Sequence, residues 1–302
     1  MKWALVLSGG GARGLAHIGV LEALEEMGVP RPGLITGCSM GAIIGGLYAC
    51  GISPGEMRRY LGTSFHPINY MSRASFNLTE GPISNFFKIG KSLSNLFSAN
   101  GIDAGDRLHE VLLEKTKGIR FGQTLIPFYC NATDLITGNE IVLENGPIAD
   151  AIRASSSFPG VFSPMAHGSM LLVDGYLRHN TPVWIARKHG YNKTLAVYLD
   201  RFGYIDQKKL KTSVDVLMRA FDCAVNATKL TRADIPTAHI FADNERSLFD
   251  FERPDLQVNF GYEKTMEQAE TVLAFFAKGL QGTINRHNLS RQEKKGALLE
   301  QP

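Results

Sequence analysis

The sequence predicts an α/β fold of three layers, α/β/α, with a mainly parallel central sheet. Three observations lead there. Trp3–Leu7 is a short, wholly apolar run that breaks into a glycine-rich turn and then a helical pattern. Leu34–Cys50 repeats the plan of apolar run, sharp turn and helix. Thr194–Leu199 supplies a further apolar run of strand length. Such continuous runs suit strands buried on both faces, and strands alternating with helices build parallel sheets.

The first run leads into Ser8-Gly9-Gly10-Gly11-Ala12-Arg13-Gly14, after which Leu15, Ile18, Leu21 and Leu24 recur at helical spacing up to Gly28. Gly9-x-Gly11-x-x-Gly14 satisfies the dinucleotide-binding fingerprint. That site also needs an acid at the end of the second strand to hold the ribose hydroxyls. Here the second strand ends Ile35-Thr36-Gly37, and no acid occurs from Pro30 to Gly55. A P-loop is absent, because no Gly-Lys-Ser/Thr follows the glycines. A glycine-rich turn with exposed N–H groups also cradles an oxyanion.

Leu34–Cys50 organises the rest of the chain. Its Gly37-Cys38-Ser39-Met40-Gly41 is a G-x-S-x-G nucleophile elbow between a strand and a helix. A Cβ at Gly37 or Gly41 would collide with the opposing segment of so sharp a turn. Ser39 then stands clear of the sheet at a helix N-terminus, where N–H groups face a developing negative charge. Two plainer readings compete. No charged residue lies between Arg31 and Glu56, and Gly41-x-x-x-Gly45 matches a transmembrane pairing motif. The many glycines, with Pro30, Pro32 and Pro54, favour strand plus helix over a span. The other plain reading is a buried βα unit whose Ser39 has no chemistry. If the first two strands are parallel neighbours, the glycine loop and the elbow leave the sheet at one edge, where α/β sites sit.

With these motifs the chain resembles the patatin-like phospholipases. That family carries G-G-G-x-R/K-G on its first βα turn, G-x-S-x-G on its second, and a later D-G-G/A. Gly9–Gly14 and Gly37–Gly41 match the first two, and Asp174-Gly175 at the end of Leu171-Leu172-Val173 supplies the third. Tyr176 departs from the usual Gly or Ala. Standing alone, Asp-Gly between apolar stretches would read as a hairpin turn. The resemblance implies a patatin-like fold and a serine-dependent lipid acyl hydrolase of phospholipase A or lysophospholipase type. It further implies a Ser39–Asp174 dyad acting through an acyl-enzyme. An oxyanion hole is then expected from the backbone amides of Gly9, Gly10 and Gly11 with Met40, with Arg13 steadying the loop. A carboxylate base needs a raised pKa to work near neutrality, so the dyad should lie in a partly dry cleft. The Cys38 side chain is expected to point away from the apex.

Further along, Phe86, Ile89, Leu93, Leu96 and Phe97 mark one helical face within Gly81–Asn100, which reads first as a helix packed on its own core and, as the alternative, as a lid or membrane-contacting helix. Gly118–Ile141 reads as strand, turn, strand, with Asp134 a turn residue. Ala149–Pro164 reads as a helix ending in a Pro-limited loop, and its Ser155, Ser156 and Ser157 lack an elbow. Leu210–Thr228 and Thr265–Leu280 show helical periodicity. One catalytic domain over 1–285 is expected, then a polar tail over 286–302, frayed from Ser290.

The 302 residues bury a sizeable core, and 44% hydrophobic with 20% charged residues is ordinary for a soluble globular chain. A net charge of +3 is too mild to argue for nucleic acid but suits an anionic membrane surface. Cys38, Cys50, Cys130 and Cys223 form no C-x-x-C pair and read as reduced thiols, and no signal-peptide pattern follows Met1. The expectation is a cytoplasmic protein, peripheral to the inner face of the membrane, taking a phospholipid or lysophospholipid without metal or cofactor. Two alternatives stay open. One is an α/β-hydrolase-type esterase with a Ser-Asp-His triad using His239 or His287, although its elbow normally follows several strands. The other is a non-hydrolytic nucleotide-binding protein using Gly9–Gly14.

Overall fold

Strand β1 (Ala4–Leu7) is buried on both faces. Leu5 and Leu7 pack into the main core, while Ala4 and Val6 meet Leu34, Val183, Ala186 and Ala196 on the other side. β1 is paired in parallel with β2 (Leu34–Gly37), Leu7 opposite Gly37. On its other edge it pairs in parallel with β7 (Thr194–Tyr198), which continues to β8 (Ala238–Phe241). In this computed structural model, residues 1–61, 103–199, 202–210, 213–227, 231–243 and 251–299 are described. The expected helix over Gly81–Asn100 lies outside them.

Beyond β2 the sheet becomes mixed. β3 (Phe128–Asp134) is parallel to β2, and β4 (Glu140–Leu143) and β6 (Met170–Asp174) run antiparallel to β3, with β5 (Met165–His167) outside β6. The order is β5-β6-β3-β2-β1-β7-β8, with β4 also on β3. Three partners on one strand must share two edges. Cys130 faces both Gly37 and Leu143, and Ala132 faces both Asp174 and Ile141. β4 therefore fills one edge, while β2 and β6 share the other end to end. β2 climbs to Gly37 opposite Cys130, and β6 descends to Asp174 opposite Ala132, leaving one β3 residue, Asn131, between them.

Helices flank the sheet. α1 (Ala16–Glu26), α2 (Met40–Ala49) and α3 (Pro54–Tyr60) follow the first two strands, α3 opened by a capping box between Ser53 and Glu56. α4 (Asp106–Thr116) and α5 (Ile148–Ser155) bracket the β3–β4 hairpin, and α6 (Val183–Lys188) covers the opposite face. α7 (Ser213–Asn226), α8 (Pro254–Glu267), α9 (Ala269–Phe276) and α10 (Gly279–Leu299) complete the described helices.

Two expectations change. The single helix over Thr265–Leu280 is broken at Gln268. There the side-chain amide leaves the helical pattern to bond the N–H and C=O of Phe241 on β8. The tail is helical through Leu299 rather than frayed from Ser290, and Glu293 anchors it to His239 at 2.7 Å. The boundary at 285 consequently falls inside α10. Leu34–Cys50 is β2 plus α2, and no helix among the described residues is long and apolar enough to cross a membrane.

Candidate active site

The elbow is tight because two glycines let backbone meet backbone. A Cβ on Gly37 would collide with the Gly41 carbonyl, and one on Gly41 would overlap the Leu7 and Ser8 carbonyls. At the apex Ser39 takes φ 52°, ψ −122°, a region that side-chain-bearing residues avoid. Such strain persists only where the surroundings enforce it. Here the Ser39 N–H donates to Ser155 Oγ at 3.1 Å, and Cys38 N–H donates to the Leu7 carbonyl. Ser39 sits half-buried at the start of α2.

Asp174 ends β6 on the same side of the sheet and is fully buried. Its backbone N–H donates to the Ser157 carbonyl, its own carbonyl accepts from Thr133 Oγ1, and its Oδ1 accepts from the Tyr176 N–H at 2.9 Å. Burial pushes its pKa up to about 6, opposed by Ser39 and by hydrogen bonds from Tyr176 and Cys38. Ser39 lies close enough to the carboxyl to lower that pKa, but no aligned hydrogen bond joins them, and Oδ2 is buried without a partner. Hydrogen bonds of this kind are often loose without substrate and tighten in the complex.

The Cys38 side chain does not point away. Its Sγ faces Asp174 Oδ1 at 3.6 Å in a fully buried position. Burial and the neighbouring carboxylate hold the thiol well above its usual pKa, so it stays protonated and serves as a weak donor.

The glycine loop lies against the elbow. Gly11 has φ 53°, the left-handed backbone that favours glycine, and a Cβ on Gly9 would stand 3.1 Å from Ser39 Cβ. The Gly9 N–H, expected among the oxyanion donors, is instead bonded to the Asn180 carbonyl at 3.1 Å. The N–H groups of Gly10, Gly11 and Met40 have no acceptor among the described residues. Arg13 closes the turn through its N–H to the Gly10 carbonyl. The Met40 side chain packs where a Gly14 Cβ would be, and a Cβ on Gly175 would strike the Asn131 amide.

Among the described residues no histidine bonds Ser39 or Asp174. His17 lies beneath the glycine loop with Nε2 on the Ser8 carbonyl at 2.8 Å, and burial lowers its pKa to about 4. His109 pairs with Asp150, His179 with Glu140, and His239 with Glu293, while His287 is exposed. Asp134, expected in a turn, is the last residue of β3 and braces the turn that follows, accepting from the N–H groups of Ile136 and Leu171 and from Thr137 Oγ1. A cavity of about 590 Å³ lined by Phe121, Phe128, Tyr129 and Glu144 opens at the start of β3, the edge opposite Ser39.

Four residues beside the site carry no motif. Ser155 and Ser157 stand behind the elbow and the acid; Asn131 and Asn180 border the Asp-Gly turn and the glycine loop. Only the fold reveals them, since each acts through a contact more than 15 residues away in sequence.

The family model of the patatin-like phospholipases matches residues 5–187, from β1 through α6. The chain belongs to this family. The match takes in the glycine loop, the elbow and Asp174-Gly175 together. Among curated relatives, an uncharacterized NTE family protein of Mycobacterium tuberculosis is 32% identical over 197 residues, covering 65% of this chain and 49% of that protein. A second from the same organism is 30% identical over 256 residues, covering 75% of this chain and 39% of that one. Lysophospholipase NTE1 of Cryptococcus neoformans is 30% identical over 193 residues, 64% of this chain and 11% of that protein. The chain thus spans half or less of the length of these relatives. Among solved structures, VipD from Legionella pneumophila aligns at 17% identity with a TM-score of 0.46, covering 97% of this chain and 74% of that one.

Proposed function

We propose that this patatin-like hydrolase cleaves acyl esters of phospholipids or lysophospholipids through a Ser39–Asp174 dyad. The observation that carries the reading is the strained Ser39 facing a fully buried carboxyl whose pKa is raised to about 6. That carboxyl is ionised at neutral pH and still basic enough to accept a proton.

Ser39 Oγ attacks the ester carbonyl while its proton passes to Asp174. The N–H groups of Gly10 and Gly11, with that of Met40 at the head of α2, receive the oxyanion. Removing one such donor typically costs ~10²–10³ in rate. The tetrahedral intermediate collapses, the alcohol portion leaves with the proton from Asp174, and the acyl group stays on Ser39. Water then attacks the acyl-enzyme, Asp174 takes its proton, and the fatty acid departs as Ser39 Oγ regains a proton. Protein groups supply every role without metal or cofactor.

A triad enzyme would need an imidazole at Asp174 and Ser39; none of the described histidines bonds either residue, and His17, His109, His179 and His239 engage other partners. For a nucleotide, the second strand offers no acid to the ribose, and Gly9 lies against Ser39. An interfacial enzyme at an anionic membrane surface fits the lipid substrate and the net charge of +3.

The test is a panel of phospholipids and lysophospholipids incubated with wild type and Ser39→Ala, followed for released fatty acid. Wild type should hydrolyse members of the panel and be labelled by a fluorophosphonate, and Ser39→Ala should do neither. Hydrolysis retained in Ser39→Ala, or no labelling of wild type, would overturn the reading.

A further inference from the structure

The residues after Asp174 form a short strap, Gly175–Asn180, that touches both halves of the site. At its start, the Tyr176 N–H is held by Asp174 Oδ1. At its end, Asn180 grips Gly9 twice: its carbonyl accepts the Gly9 N–H at 3.1 Å, and its side-chain amide donates to the Gly9 carbonyl at 3.4 Å. Gly9 in turn packs against Ser39. One stretch of backbone therefore runs from the acid to the glycine loop.

Asn131 fixes that stretch. It is fully buried at the single β3 position left between the ends of β2 and β6. Its amide donates to the His179 carbonyl at 2.8 Å and reaches the Gly175 carbonyl at 3.4 Å, so it holds both ends of the strap. The same amide donates to Glu140 Oε1 at 2.8 Å. Glu140 also accepts from Trp184 Nε1 at 3.3 Å and, through Oε2, from His179 Nδ1 at 2.6 Å. The Glu140 hydrogen bond raises the His179 pKa, which favours the charged pair. A buried network with its members mutually oriented is stiff. Neither asparagine hydrogen-bonds Ser39 or Asp174; their bonds run to the strap, Glu140 and Gly9, so the effect on rate is assigned to the strap.

We propose that Asn131 and Asn180 are positioning residues that clamp Gly175–Asn180 at both ends and thereby set the amides of Gly10 and Gly11 against the Ser39–Asp174 pair. The inference rests on the hydrolase reading above. Misplacement of reacting groups by about 1 Å can cost ~10²-fold.

The experiment measures kcat and KM of the full chain on a soluble short-chain aryl ester for Asn131→Ala, Asn180→Ala and the double variant, with Ser39→Ala and Asp174→Asn alongside. Asn131→Ala should lower kcat by roughly 10²-fold with KM nearly unchanged, and Asn180→Ala, which keeps its backbone carbonyl on the Gly9 N–H, should lower it by less. The double variant should lose little more than the worse single, because one strap carries both effects. Folded single variants with wild-type kcat would overturn the inference. So would losses confined to KM, or losses that multiply in the double. If Asn131→Ala does not fold, the half-buried Asn180→Ala decides alone by the same kcat criterion. A Ser39→Ala enzyme with full activity would end the underlying hydrolase reading, whereas an inactive Ser39→Ala with fully active asparagine variants ends only this inference.

Discussion

At the scale of single residues, the buried carboxyl of Asp174 governs how the molecule responds to pH. Its pKa of about 6 predicts that kcat/KM falls as pH drops through about 6, since the proposed base is then protonated. A pH profile of ester hydrolysis checks this; a limb near the ordinary carboxylate value would place the base elsewhere. Stability moves the other way. The folded carboxyl holds its proton to higher pH than the unfolded one, with its reference value of 3.8. The folded state is therefore favoured most below about pH 4, loses stability between about 4 and 6, and above that carries a constant deficit of about 3 kcal/mol. Asp174→Asn should abolish hydrolysis and flatten this slope. Urea midpoints of wild type and variant across pH 4–7 would show it, the two curves converging at the acid end. Cys38 adds a smaller effect: removing its weak hydrogen bond in Cys38→Ala should move the acid limb upward.

At the scale of elements, β1, β2 and the elbow were legible because each is a local pattern of apolar run, glycine turn and helix. Asp174-Gly175 was legible only beside the other two motifs. The Cys38 side chain was misjudged because its direction depends on β6 arriving from 136 residues away. The Gly9 amide was misassigned for a similar reason, since the Asn180 carbonyl takes it from the far side of the chain. The break at Gln268 carries no glycine or proline to announce it; the cause is the need of β8 for partners at Phe241. Gln268→Ala should therefore lower thermal stability by roughly 1–3 kcal/mol, as unmade buried hydrogen bonds do, and leave kcat unchanged. Calorimetry and an ester assay on the same preparation separate the two effects.

At the scale of the whole molecule, the parallel half of the sheet delivers the glycine loop and the elbow, and the antiparallel half delivers the acid. The larger core packs one face of the sheet, and a smaller cluster built on α6 covers the other. His239 and His287 belong to the far margin of this plan, one tied to α10 and the other exposed on it. His239→Ala and His287→Ala should consequently retain wild-type kcat on the same ester, and a collapse in either would favour a triad. The sequence motifs announce the parts of the site. The sheet order that joins them is a matter of long-range pairing, which local periodicity does not encode.

The meeting of β2 and β6 along one edge of β3 makes that strand a ruler. Its graduations are whole residues, about 3.3 Å apart. Inserting or deleting one residue within 130–132 would change the gap between hydroxyl and carboxylate by a full graduation. Finer adjustment of this chemistry, in evolution or in design, has to be made in the bends that leave the ruler.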